Sequence, residues 1–148
     1  MKGSKFLQTS SLMTIALFVI VSFFSECKKY PDGPRLSFRS RATRIATTWY
    51  LDLYLLNGND QTTTYVTAKG DSYALTITKD GAYQESGNFP DEGKCQFGDK
   101  HESLYGQSFA VGGEEQKYSI LRLEYKSLWL KHIKANGDVE EIHYIAYR

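Results

Sequence analysis

The chain has 148 residues, enough for one domain and not comfortably two. Its formal net charge of +1 provides no global field that would draw it to nucleic acid or to an acidic partner. Two cysteines cannot build a disulfide framework, and a 14% aromatic content that includes eleven tyrosines leans the composition toward strands.

The first segment reads as an address. Lys2 and Lys5 precede an apolar run from Leu12 to Phe24, LMTIALFVIVSFF. A bilayer-spanning helix needs roughly 20 apolar residues, so a run this short fits the core of a secretory signal. An uncleaved membrane anchor or a buried helix is the alternative. The segment Phe24-Ser25-Glu26-Cys27 resembles the lipobox of bacterial lipoproteins, with Glu26 and Phe24 departing from that family's small and aliphatic preferences. The resemblance implies a signal peptide over 1–26 that is removed, a diacylglyceryl group on the Cys27 thiol, and an acylated new amino terminus. At about 0.8 kcal/mol per buried methylene, several acyl chains such as palmitate hold a protein on a membrane almost irreversibly. Lys28 follows, not aspartate, and no acidic run comes after it. By the sorting rule of enteric-type lipoproteins, this implies a bacterial cell-envelope protein on the outer membrane, facing the periplasm. Cys95 is then left as a lone buried thiol.

Residues 27–37 read as a lipidated tether. Two prolines and a turn in KKYPDGPRLS favour an extended spacer. Its basic residues suit anionic head groups, or simply solvate a linker. From 38 onward the chain reads as one domain, 38–148. Phe38, Ala42, Ile45 and Trp49 share a helical face, which predicts a short helix over 38–45 with Ser37 as its N-cap. Trp49, Leu51, Leu53 and Leu55 then alternate with Tyr50, Asp52 and Tyr54, a strand with one buried face that ends at Asn57-Gly58-Asn59.

Further short strands are expected at Tyr65–Ala68, Tyr73–Thr78 and Ala82–Phe89, with Lys79-Asp80-Gly81 as a hairpin turn. Pro90–Gly93 reads as a loop. Lys94–Gly98 and Glu102–Gly106 read as strands, and Gly112–Glu115 as a break. Lys117–Tyr125, Ser127–Lys134 and Val139–Tyr147 close the series, with Asn136-Gly137 as the strongest hairpin signal. The fold class is all-β: an antiparallel up-and-down barrel of about eight short strands, whose closure removes exposed edges.

The order of these features resembles small bacterial lipoproteins with a lipocalin-like domain. The residues that carry it are Cys27-Lys28-Lys29-Tyr30-Pro31, the helix running into Trp49, Asn57-Gly58, "TITKDGAY" over Thr76–Tyr83, and "ILRLEYKSLWLKHI". The family often has tryptophan in a later G-x-W strand, where this chain has Gly93-Lys94-Cys95. The resemblance implies a barrel able to hold a small apolar ligand. A shared fold does not establish a shared function.

If Asn136 and Gly137 alone form the last turn, His132 lies opposite Glu141, Leu130 opposite His143 and Leu128 opposite Ile145. If Lys126-Ser127 form the preceding turn, Leu123 meets Leu130 and Leu121 meets His132. One face then holds Leu121, Leu123, Tyr125, Leu128, Leu130, Val139, Ile145 and Tyr147, with His132, Glu141 and His143 pointing inward. Such groups must pair, reach water or line a pocket. A one-residue slip would move the triplet outside. With a three-residue loop at 79–81, Ile77 faces Tyr83 and Leu75 faces Glu85, so Glu85 points inward as well.

The candidate ligand-binding residues are therefore Tyr73, Tyr83, Glu85, Leu121, Leu123, Leu130, His132, Glu141 and His143. The leading expectation is a membrane-anchored binding module for a small, partly apolar molecule. The alternative is an envelope structural or interaction protein with a filled core, docking a partner on an outer face around Trp129, Ile133 and Tyr144. An internal space above roughly 300 Å³ would favour the first. No catalytic residues, cofactor or metal are expected. The chain has no G-x-S-x-G elbow, phosphate-binding glycine loop or H-E-x-x-H, and Cys95 with Asp99 and His101 is too sparse a ligand set for tetrahedral coordination.

Overall fold

The computed structural model of the protein describes residues 39–98, 100, 102–108 and 113–147. The signal segment 1–26, the lipidation site Cys27, the tether 28–37 with its cap Ser37, and Asp99 and His101 lie outside the described residues.

Helix α1 (Arg41–Ile45) starts later than the apolar spacing predicted, and Ser40 caps it, its Oγ accepting from the Thr43 N–H at 3.2 Å. Then come β1 (Thr48–Leu56), β2 (Asn59–Asp60), α2 (Thr62–Lys69), β3 (Ala74–Ile77), β4 (Ala82–Glu85) and β5 (Asp91–Phe97). They are followed by β6 (Ser103–Ser108), β7 (Glu115–Leu123), β8 (Ser127–Ile133) and β9 (Val139–Ile145). Every strand pairing is antiparallel. The order β1-β3-β4-β5-β6-β7-β8-β9 returns to β1, closing an eight-stranded barrel, while β2 only extends the far end of β1. The expected up-and-down barrel is thus present.

Two segments differ in kind from expectation, and the strand expected over Ala82–Phe89 stops at Glu85. Tyr65–Ala68 is helical, inside α2, although its β-branched residues favour a strand. Asp60 Oδ1 accepts from the Thr62 N–H at 2.9 Å and its hydroxyl at 2.7 Å, and Tyr65 stacks on Tyr54 with centroids 4.3 Å apart. This local anchor and ring contact outweigh a weak propensity. Asp91–Gly93 is not loop but the start of β5, paired with Glu85, Gln84 and Tyr83.

Gly93 is buried in that strand for a steric reason. A Cβ there would lie 2.1 Å from the Gln107 carbonyl oxygen and 2.7 Å from Tyr83 Cε1. Gly93→Ala should therefore destabilise the barrel by about 1–3 kcal/mol, read as a lowered urea midpoint with unchanged slope.

Register follows from three irregularities. The turn between β8 and β9 is a three-residue loop over 135–137. The Lys134 N–H donates to the Asp138 carbonyl at 2.9 Å, and only Gly137, with φ of 89°, takes the left-handed conformation. A two-residue type I′ turn would need positive φ at Asn136 too. That geometry occurs instead at Asn57-Gly58, with φ of 51° and 79°. On β1, Asp52 is an extra residue between Leu51, opposite Tyr144, and Leu53, opposite His143. On β7, Leu121 is the extra residue between Ile120, opposite Leu130, and Arg122, opposite Trp129. Each bulge reverses which side chains point inward beyond it.

The register expected for the last strands is corrected accordingly. His132 lies opposite Glu140, Leu130 opposite Ile142 and Leu128 opposite Tyr144. Leu123 pairs with Leu128 through a turn at Tyr125-Lys126, and Leu121 leaves the inner face. Ile142 and Tyr144, expected outside, are buried, whereas Tyr147, expected inside, is exposed. The first hairpin has the register read from its three-residue loop: Ile77 opposite Tyr83 and Leu75 opposite Glu85.

Candidate functional site

The two ends of the barrel differ. At one end the core is solid. Trp49, Leu123 and Leu128 are fully buried, and the Trp49 indole N–H donates to the Ile45 carbonyl at 2.8 Å, tying α1 across the opening. Arg44 Nη1 donates to the Leu123 carbonyl at 2.6 Å, and Arg39 lies over the Tyr125 ring at 4.4 Å. The first described residues thus sit at the closed end.

The other half holds a cavity of about 390 Å³. Leu75, Ile77, Leu104, Leu130 and Ile142 contribute its apolar wall. Tyr65, Tyr83, Tyr118 and Tyr144 form a second tier, beside the polar groups Lys69, Glu85, Asp91, Lys134 and Glu140. The irregularities in the sheet deliver several of these. The one-residue slip in the β8–β9 turn points Glu140, Ile142 and Tyr144 inward. The Leu121 bulge does the same for Tyr118. The Asp52 bulge points Tyr54 inward, where its hydroxyl donates to Glu140 Oε1.

The half-buried charges are matched locally, as burial requires. Lys69 Nζ lies 2.7 Å from Glu85 Oε2, and Lys134 Nζ lies 2.7 Å from Glu140 Oε1. The Tyr73 hydroxyl is 3.2 Å from Glu85 Oε1 and 2.9 Å from the Tyr144 hydroxyl. Burial pushes the Tyr54, Tyr73 and Tyr144 hydroxyls well above their usual titration range, so they stay protonated as donors. Asp91 accepts from Tyr83 at 2.9 Å and from Ser108 at 2.5 Å. Burial works against its charge, but these hydrogen bonds prevail and hold the carboxyl below its ordinary value.

Of the residues singled out in the sequence, Tyr83, Glu85 and Leu130 line this cavity, and Tyr73 is buried beside it. Leu123 belongs to the closed end. His132 stands at the rim, its Nδ1 2.9 Å from the Lys117 carbonyl. Leu121, Glu141 and His143 are not inside. His143 stacks on Trp129 at 4.1 Å on the outer face, with its Nε2 2.6 Å from Glu141 Oε1. Arg122 covers the same tryptophan at 4.7 Å. The expected outer docking face keeps Trp129 and Ile133 but loses Tyr144 to the core.

Sequence reasoning missed Tyr54, Asp91, Tyr118 and Glu140. Alternation assigns Glu140 outward unless the turn has three residues, and Asp91 sat in an expected loop. Among the described residues no group of three or more His, Cys, Asp or Glu side chains is arranged to hold a metal, and no helix is long and apolar enough to cross a membrane.

Cys95 faces the cavity, and burial pushes its thiol up to about 11. Alkylation should therefore be slow at pH 8 and rise about tenfold per pH unit up to about 11, since the thiolate is the reacting species. A thiol that reacts at pH 8 like a free one would contradict this placement. No protein-family model matches the chain, and no curated protein matches it significantly.

Proposed function

We propose that the protein is a lipid-anchored binding module whose barrel receives a small, partly apolar molecule, without catalysis. The observation that supports this most is the cavity of about 390 Å³, apolar along its wall and polar around its tyrosine tier. Small-molecule sites typically occupy about 300–1,000 Å³ with this mix of surfaces. Closing one end while leaving a space in the other is what an eight-stranded container needs.

The anchor in this reading is Cys27, carrying acyl chains after removal of residues 1–26, and the setting is the bacterial envelope. Arg39 and Arg44 are held on the closed end through the Arg39–Tyr125 and Arg44–Leu123 contacts. The first described residue thus lies at the end away from the cavity.

Two measurements test the reading. Native mass spectrometry of the chain purified from its own host should show a small-molecule adduct released on activation. An apo mass, with lipid and amphiphile probes also failing to bind, would leave the interaction-protein alternative. Labelled palmitate should enter the protein and be lost in Cys27→Ser. Absence of label, with Cys27→Ser still fractionating with membranes, would remove the anchor.

A further inference from the structure

We propose that the cavity selects cationic amphiphiles: molecules with an apolar body and a single ammonium or guanidinium head. This rests on the container reading above and adds the sign of the ligand's charge. The cavity makes the site, and the groups at its mouth set the sign.

Four carboxylates line the cavity, Glu85, Asp91, Glu114 and Glu140, against two lysines, Lys69 and Lys134. The excess is two formal negative charges. Both lysines are already engaged at 2.7 Å, with Glu85 and Glu140. Among the described residues no Lys or Arg lies within ion-pair distance of Asp91 or Glu114. An anionic head would have to pull a lysine from its carboxylate, leaving a half-buried charge without its partner. A cationic head needs no such exchange.

The cavity wall already seats one ammonium. Lys69 Nζ is bonded to Glu85 and lies 5.2 Å from the Tyr73 ring centroid and 6.0 Å from that of Tyr65. A carboxylate with tyrosine faces is a setting that attracts cations. Asp91 repeats the combination, held by the Tyr83 hydroxyl at 2.9 Å with Tyr118 also lining the space. Among the described residues no lysine or arginine lies over the Tyr83 or Tyr118 ring. An amphiphile entering tail first against Leu75, Leu104 and Ile142 would bring its head to this level.

The test uses the full chain, kept in solution by an amphipathic polymer, with decylamine, decanol and decanoate below their micelle-forming concentrations. The readout is protection of Cys95 from alkylation, located by peptide mass spectrometry. Decylamine should protect at about tenfold lower concentration than decanol, with decanoate weaker still. Raising salt should weaken decylamine alone. Asp91→Asn with Glu114→Gln should remove the advantage of decylamine over decanol when both are measured on the same variant. Glu114→Gln alone, at an exposed position, should remove part of that advantage, and its decanol response reports an intact cavity. If decanol or decanoate protects as well as decylamine, the charge inference fails and the container stands. If none of the three protects, both readings fail.

Discussion

Trp49→Ala should cost about 3–5 kcal/mol of folding stability, the largest loss expected from any single truncation in this protein. The side chain has no exposed surface. It packs with Leu123 and Leu128 to make the solid end of the barrel, and its indole N–H holds the carbonyl at the end of α1 at 2.8 Å. Truncation leaves an apolar hole and frees the helix that closes that end. Trp129 is the control. It lies on the outer face between Arg122 and His143, so Trp129→Ala should cost no more than about 1.5 kcal/mol from lost stacking. Urea denaturation of the two variants distinguishes them. Equal losses would mean that the closed end does not carry the core.

Gly106→Leu should remove ligand binding while leaving the protein folded. Gly106 lines the cavity from β6, opposite Cys95 and Gln116. A Cβ there meets only Tyr118 Cε2, at 4.0 Å, so the leucine enters the ligand's space instead of striking backbone. Glycine inside a strand is unfavourable by about 0.5–1 kcal/mol relative to alanine, so stability should hold or rise. Occupancy by an amphiphile probe, followed by native mass spectrometry, should fall at least about tenfold, a loss of about 1.4 kcal/mol in binding. A variant that is folded and still binds as the parent does would place the ligand elsewhere. Gly93→Ala makes the contrast, because its neighbour is a backbone oxygen and the penalty there falls on folding.

The two glycines illustrate how far sequence reasoning reaches. Both sit in segments read as loop or short strand, and nothing in the linear pattern separates them. Contact distances do: Gly93 faces the carbonyl of Gln107, Gly106 faces open volume. The same limit applies to the candidate site. A three-residue loop at Lys79-Asp80-Gly81 predicts Tyr83 and Glu85 inward, and the strands keep that register. A two-residue turn at Asn136-Gly137 predicts Glu141 and His143 inward. The loop has one residue more, and the whole of β9 turns over.

By itself the sequence determined the existence of most strands, the early helix, the antiparallel order and the barrel class, because short apolar alternation between turn residues has few other ways to bury itself. It could not determine which alternate set faces inward on β1 and β7. Leu51, Leu53 and Leu55 compete with Tyr54 and Leu56, and Leu121 and Leu123 compete with Ile120 and Tyr118, and both sets are apolar. Only the tertiary structure decided between them. The closed ring of eight strands carries bulges at Asp52 and Leu121, and each bulge reverses the alternation that local pattern alone would carry through.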